Sequence, residues 1–289
     1  MNNIPNKIGQ FKRYIGNPST MKYGYYYQST FNLPFSKESK RMVRVWLPED
    51  YDFDNPDNRY PVIYMSDGQN LVDRYLSAYG EWELDKVVHQ LKQEGIKGCI
   101  AVGIDCPKDP PERTQELCPP YDVKKIIYRW HHGSFDPFAD KYVDYIVNNI
   151  KPIVDKLFYT LKDQDHTAIG GSSMGGLMSF YAYMYRRDIF GFSLSFSPAF
   201  FFFKKKDWFE IIDKLDVNPI DNHMLYLYVG GVDFEARFVK GTKYTYQYLL
   251  DKGFKDNQLK LTIDEQEIHH EKAWAKYLPD ALRFWLKNK

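Results

Sequence analysis

The sequence predicts an α/β fold, a central and mostly parallel sheet of about eight strands with helices on both faces and antiparallel strands at the amino-terminal end, in about residues 1–58. Three observations carry this. From Pro61 onward, short apolar runs alternate with amphipathic ones, as in "PVIYM", "EWELDKVVHQLKQ" and "GCIAVGI"; strands covered on both faces read as continuous apolar runs of this kind. Before that point, "YGYYYQSTF" and "RMVRVWLP" alternate apolar with polar residues, the pattern of half-exposed antiparallel strands, and end in the turn-rich "EDYDFDNPDNRYP". Finally, 44% apolar and 17% aromatic residues over 289 positions can fill a substantial core. With neither a repeat nor a Gly/Ser-rich linker, residues 1–289 read as one domain.

The alternation persists along the chain. Asp136-Pro137 reads as an N-cap followed by proline at the first helical position. It opens a helix on which Phe138, Tyr142, Tyr145, Ile146, Ile150, Ile153 and Leu157 share a face, with Pro152 as a kink. Then follow the strand "HTAIGG", the helix "GLMSFYAYMYRRDIF", the strand "FSLSFS", the helix "KDWFEIIDKL", the strand "MLYLYVGG", the helix "YTYQYLLDKG", the strand "KLTID" and a closing helix "AWAKYLPDALRFWLK".

A net charge of +1 gives no electrostatic reason to expect nucleic acid or an anionic membrane as partner, and Lys204-Lys205-Lys206 reads as a solvated turn. "MNNIPNKIGQ" lacks the apolar stretch of a secretory leader, and no segment reaches the roughly 18 apolar residues that span a bilayer, so a cytoplasmic location is expected. Cys99, Cys106 and Cys118 contain no CxxC pair, which predicts neither a zinc site nor a disulfide framework. Cys99 falls in a buried strand and the other two bracket a loop. Adjacent His131 and His132, without Cys or carboxylates at ligand spacing, are a poor metal set, so no metal is expected.

In such sheets chemistry gathers in the loops beyond the carboxyl ends of the strands. The sharpest signal there is "GSSMG", which fits G-x-S-x-G with Ser173 at its centre, a strand before it and a helix after it. A serine hydroxyl becomes a useful nucleophile when a tight strand-to-helix turn raises it, and Gly171 and Gly175 give the backbone room. Ser172 competes, but centring the motif on it would require glycine at Met174. The helix that follows aims its first amides at the reaction centre, which makes the Met174 N–H a candidate oxyanion donor. A serine of this kind needs a base and an orienting acid, in chain order serine, acid, histidine. Asp233, close to the end of its strand, is favoured as the acid over Glu235; the base is one of the pair in "EIHHEKAW", His269 and His270. His89, His166 and His223 fall in a helix, a turn and a strand start and are weaker candidates.

Several ordered blocks, "YMSDGQNLVD", "AVGID", "ADKYVDYIVNNIKPIVDKLF", "IGGSSMGGLMSFYAYMYRRDIFGFSLSFSPAFFF" and "IHHEKAWAKYLPDALRFWL", resemble the putative esterase family, in the esterase D and enterochelin esterase branch of the α/β-hydrolases, from about Arg41 to the end. The resemblance implies an α/β-hydrolase fold and a serine carboxylesterase without cofactor. It also implies an oxyanion hole that draws on Gly68 or Gln69 of "DGQN" besides Met174. The family's terminal pattern, a histidine, a small polar residue, Glu, two variable positions and Trp, places the base at His269, with His270 at the polar position, then Glu271 and Trp274. An acid after Val-Gly-x-x falls on Asp233. The sequence departs from the family at Glu267 and Ile268, where many relatives carry glycines.

The expected reaction is two-step acyl transfer through a Ser-His-Asp triad and an acyl-enzyme, on small, aromatic or sugar-linked acyl esters. Phe200 and Phe201, in the run to Phe203, with Trp130 and Tyr121, read either as walls of an apolar acyl pocket or as core packing. Glu116 and Arg113, in the segment "PPERTQELCPPYD" read as a loop, form an ion pair or contact a polar substrate. A siderophore trilactone esterase is the alternative, followed by an acyltransferase or a non-catalytic binding protein on the same fold. The partner is a small-molecule ester, and the sequence leaves a homo-oligomer open.

Overall fold

The computed structural model describes residues 4–121 and 135–287. The chain forms two compact units: Met1–Cys106 with Ile146–Ala168 and His270–Lys289, and Pro107–Tyr145 with Ile169–His269.

In the first unit, β1 (Lys7–Ile8), β2 (Phe11–Arg13), β3 (Tyr25–Asn32) and β4 (Lys40–Leu47) run antiparallel to their neighbours, and β4 pairs antiparallel with β6 (Ile100–Ile104). β6 then pairs in parallel with β5 (Val62–Ser66), Val62 opposite Ile100. Every residue of β5 and β6 is buried, whereas β3 mixes buried with exposed positions, the contrast read from the sequence. Helix α1 (Leu84–Gln93) is tied to the carboxyl-terminal helix: the Arg283 guanidinium grips the Glu94 carboxylate through Nε at 2.6 Å and Nη2 at 2.8 Å, and holds its pKa down to about 2.

In the second unit, α2 spans Pro110–Leu117 and α3 Ala139–Tyr145. The segment read as a loop at "PPERTQELCPPYD" is thus helical over its first eight residues, because two prolines in a first turn surrender only amides that have no helical partner. The helix expected from Asp136-Pro137 opens two residues later. The amides of Asp136 and Phe138 donate to Gln115, and that of Ala139 to the carbonyl of Cys118, so this stretch is held by α2. After α3 comes a π-helical turn, Ile146–Ile150, and then α4 (Lys151–Leu157) in the first unit. Pro152 lies in the first turn of α4; it offers no N–H to the carbonyl four residues back, and the widened turn ahead of it accommodates that loss.

β7 (Thr167–Ser172) leads into α5 (Met174–Tyr185), followed by β8 (Phe192–Phe196), α6 (Lys205–Asp213), β9 (Met224–Gly230), α7 (Ala236–Asp251), β10 (Leu259–Asp264) and α8 (Glu271–Leu286). β8 and β9 are parallel, Phe192 opposite Met224, and β9 and β10 are parallel, Leu225 opposite Leu259. Among the described residues the strands form one ten-stranded sheet in the order β1-β2-β3-β4-β6-β5-β7-β8-β9-β10. The eight strands read from the sequence are all present. The two additions, β1 and β2, are two and three residues long, too short for periodicity to reveal. Among the described residues no helix is long and apolar enough to cross a membrane.

α5 is buried along almost its whole length, from Met174 to Met184, as expected of a helix that is apolar all round. Its close approach to β8 depends on Gly176, where a Cβ would collide with the Phe196 carbonyl and lie 3.2 Å from Pro198 Cα. Gly176→Ala is expected to cost about 1–3 kcal/mol through overpacking; urea unfolding should show a lower midpoint with little change in slope.

Candidate active site

Ser173 occupies the turn between β7 and α5 with φ 60° and ψ −120°, a conformation that a residue with a side chain adopts only when its surroundings enforce it. The enforcement is visible on both sides of the residue. Its amide donates to the Phe196 carbonyl at 2.9 Å, and its carbonyl accepts from Ala199 N–H at 3.2 Å and from Leu177 N–H at 3.0 Å. Ser172, the last residue of β7, is buried, while Ser173 is partly exposed, so the turn presents only the second serine of the pair. Met174 begins α5, in the first turn of which the backbone amides lack helical acceptors.

The segment that clamps Ser173 also reaches the acid. Ser197 is fully buried with φ 44°, and its hydroxyl donates to Glu235 Oε1. The same oxygen accepts the Gly230 amide at 2.9 Å, and the other carboxylate oxygen, Oε2, meets His269 Nδ1. The acid on His269 is therefore Glu235, fully buried, where the sequence favoured Asp233. The reason lies in the local fold. Residues Asp233–Glu235 form a 3-10 turn after β9, with the Glu235 amide bonded to the Val232 carbonyl at 3.0 Å. That turn sends Asp233, at φ 54°, into solvent and folds Glu235 back onto the strand end. In an extended loop the acid nearer the strand would have been the one in reach.

His269 lies in the loop between β10 and α8, with its side chain 17% exposed. Phe238 of α7 stacks on the imidazole at 4.6 Å and 24°, and Phe234 meets it edge-on at 5.3 Å and 89°. The Glu267 carbonyl accepts the amides of Gly231 and Val232 at 3.0 and 3.1 Å, which ties the histidine loop to the acid loop. The approach is close enough that a Cβ at Gly231 would lie 2.7 Å from Glu265 Cα. Backbone pairing thus holds a loop in which Glu267 and Ile268 stand where glycines were expected. His270 plays a different part, since its Nδ1 accepts the Lys272 amide at 3.1 Å and caps α8.

In the first unit, Gly68 and Gln69 lie in a 3-10 turn, Gly68–Asn70, that follows β5. The Gln69 side chain is fixed by Cys106, whose amide donates to Oε1 at 3.1 Å and whose sulfur lies 3.1 Å from Nε2. Next to that cysteine, burial pushes the Asp105 carboxyl above its ordinary pKa, against the bidentate guanidinium of Arg44 at 2.8 Å. Asn70 donates to Glu271 at 3.3 Å and Trp82 stacks on Trp274 at 5.7 Å, so the residues that set the terminal family pattern are packing partners.

Of the residues weighed for substrate contact, Phe200 is core: it is fully buried against Phe180 at 5.2 Å and Trp208 at 4.7 Å. Phe201 turns the other way, to Phe238 at 4.7 Å and Phe234 at 6.3 Å. Glu116 is buried on α2, and Tyr121 packs edge-on against Phe203. Trp130, His131 and His132 lie outside the described residues. His89 stacks on Tyr23 and bonds Glu49 at 2.9 Å, His166 bonds Asp163 at 2.7 Å, and His223 is buried. Among the described residues no cluster of His, Cys, Asp and Glu is arranged to hold a metal ion. Ser197, Phe234 and Phe238 were missed. The only trace of the first is a serine at the end of "FSLSFS", and of the others a phenylalanine on each side of Glu235.

A parallel sheet, a strained serine between strand and helix, and acid and histidine loops after later strands define an α/β-hydrolase. Residues 36–285 match the family described as Putative esterase; the chain belongs to that family and is an ester-hydrolysing enzyme. The chain is similar to the protein YbbA of Bacillus subtilis (strain 168), 23% identical over 88% of this chain and 95% of that one. Its fold is similar to the BES protein from Bacillus cereus, with a TM-score of 0.68 at 20% identity over 90% of this chain and 96% of that one. It is also similar to the siderophore hydrolase EstA from Aspergillus nidulans, with a TM-score of 0.65 at 18% identity over 88% and 94%.

Two substitutions separate the acids. Glu235→Ala should lower kcat on the order of 10⁴-fold, as loss of the orienting carboxylate does in serine hydrolases, while Asp233→Ala leaves most turnover; steady-state kinetics on one ester reads both. Ser197→Ala should lower kcat about tenfold, the equivalent of roughly 1.4 kcal/mol for one hydrogen bond to a charged group. Labelling of Ser173 by a fluorophosphonate should slow in proportion.

Proposed function

We propose that this enzyme is a serine carboxylic ester hydrolase that works through Ser173, His269 and Glu235 and an acyl-enzyme intermediate. The observation that carries the reading is the continuous chain of contacts from the strained Ser173 turn, through the Phe196–Ala199 backbone and the Ser197 hydroxyl, to Glu235 and His269. With Nδ1 held by the carboxylate, Nε2 is the ring nitrogen assigned to accept the proton. As Ser173 Oγ attacks the ester carbonyl, its proton passes to Nε2 and the carbonyl oxygen becomes an oxyanion. The Met174 amide at the head of α5 stabilises that charge, worth about 3 kcal/mol for a donor of this kind. The carbonyl re-forms, the C–O bond to the alcohol breaks, and His269 returns the proton to the departing oxygen. Water repeats the sequence on the acyl-enzyme, with His269 again taking and returning the proton. Glu235 orients the ring through Nδ1 and stabilises the imidazolium.

Small carboxylic esters are the proposed substrates. A siderophore ester is the second reading, favoured by the likeness in fold to EstA of Aspergillus nidulans, whose name describes a siderophore hydrolase. A fluorophosphonate probe should label wild-type protein at Ser173 and leave folded Ser173→Ala unlabelled; labelling that survives the substitution would reject Ser173 as nucleophile. On the same preparation, hydrolysis of short-chain nitrophenyl esters should exceed that of a catecholate trilactone, and a strong preference for the trilactone would reverse the order of the two readings. His270→Ala should retain most activity with a lower melting temperature, since it removes a helix cap costing about 1 kcal/mol, whereas His269→Ala should abolish turnover.

A further inference from the structure

We infer that Phe234, together with Ile268, forms the wall against which the leaving alcohol of the substrate lies, and that the enzyme prefers esters of flat, aromatic alcohols. The inference rests on the acyl-transfer reading above and adds the side of the substrate that these residues select.

Most large apolar side chains of the protein are buried, but Phe234 and Ile268 are each 45% exposed. They stand in the two loops that carry the acid and the base: Phe234 immediately precedes Glu235, and Ile268 immediately precedes His269. The Phe234 ring is held by its surroundings, with Phe238 at 5.4 Å and 76°, Phe201 at 6.3 Å and 89°, the His269 imidazole at 5.3 Å and 89°, and the Arg237 guanidinium 5.4 Å from its centroid. One side of an aromatic ring is therefore pre-organised beside the base while the remainder meets solvent. Packing against these neighbours accounts for the covered part of the ring, and the part that meets solvent is apolar surface open to a substrate.

The chemistry decides which part of a substrate this surface meets. In the first step the acyl group becomes bonded to Ser173, and the imidazolium of His269 gives its proton to the oxygen of the departing alcohol. The group carried by that oxygen must lie next to the imidazole. Phe238 already covers a face of that ring and Phe234 lies at its edge, so the surface adjoining the imidazole is aromatic. Edge-to-face and offset packing against Phe234 favours a second aromatic ring over a saturated chain of similar size.

The test uses one acyl group and three alcohols, so that every substrate passes through the same acyl-enzyme. With benzyl acetate, Phe234→Ala should lower kcat/KM about tenfold, while with ethyl acetate it should change kcat/KM less than about twofold. With 4-nitrophenyl acetate under conditions where deacylation limits turnover, kcat should be unchanged, because the alcohol has departed before that step. Phe234→Leu, which keeps bulk without the ring, should fall between wild type and alanine on benzyl acetate. An equal loss on both alcohols would overturn the inference and assign Phe234 to holding His269. A fall in the deacylation-limited kcat would overturn it by putting the residue on the acyl side. Fluorophosphonate labelling of Ser173 in wild type separates this idea from its foundation: protein that labels but treats benzyl and ethyl acetate alike overturns the alcohol preference alone, and protein that does not label overturns it together with the proposed function.

Discussion

The Glu235 carboxylate is the constraint on which the candidate site depends. A carboxylate with no solvent exposure is costly unless its oxygens are satisfied, and here a strand-end amide, a serine hydroxyl and an imidazole satisfy them. Each partner comes from a different part of the second unit: Gly230 from the end of β9, Ser197 from the turn after β8, and His269 from the loop after β10. The same turn after β8 grips Ser173 by its amide and its carbonyl. Charge satisfaction and the geometry of the Ser173 turn are thus two results of one set of bonds. A shift in Glu235 would be felt at the serine without any direct contact between the two.

What could be read from the sequence follows the range of the interactions involved. Ser173 was legible because a tight strand-to-helix turn writes its demand into adjacent residues, although the close approach of β8 falls on Gly176, three positions on, which becomes apparent only when β8 is placed against α5. The eight longer strands were legible because parallel, buried strands show as apolar runs. The acid was not, because the choice between Asp233 and Glu235 turns on a single 3-10 turn whose residues carry no strong signature. Prolines misled in one place and informed in another: Pro110 and Pro111 open a helix where a loop was read, while Pro152 does mark a break in helical regularity, as a π turn ahead of it.

The phenylalanine run shows how a composition signal divides. Phe200–Phe202 form a 3-10 turn, so successive rings point in different directions. Phe200 enters the core with Phe180 and Trp208, and Phe201 joins Phe234 and Phe238, the rings that pack on His269. The run therefore divides, one ring to the core and the next to the aromatic group around His269. Periodicity cannot separate them, because the division occurs within two consecutive positions.

The way the chain threads its two units bears on how the protein is made. The first unit combines Met1–Cys106 and Ile146–Ala168 with His270–Lys289, so its last helix, α8, is synthesised after the entire second unit. Growing from its amino terminus, the chain can assemble β1 to β6 early. It must wait for the final stretch before Trp274 can cover Trp82, Glu271 can accept from Asn70, and Arg283 can close on Glu94. Until then an apolar indole and a helix end made ahead of the second unit lack their partners, and the nascent chain is most exposed to aggregation just before α8 emerges. A segment of about twenty residues thus completes the unit that began the chain, and its first residue directly follows the histidine on which catalysis is proposed to turn.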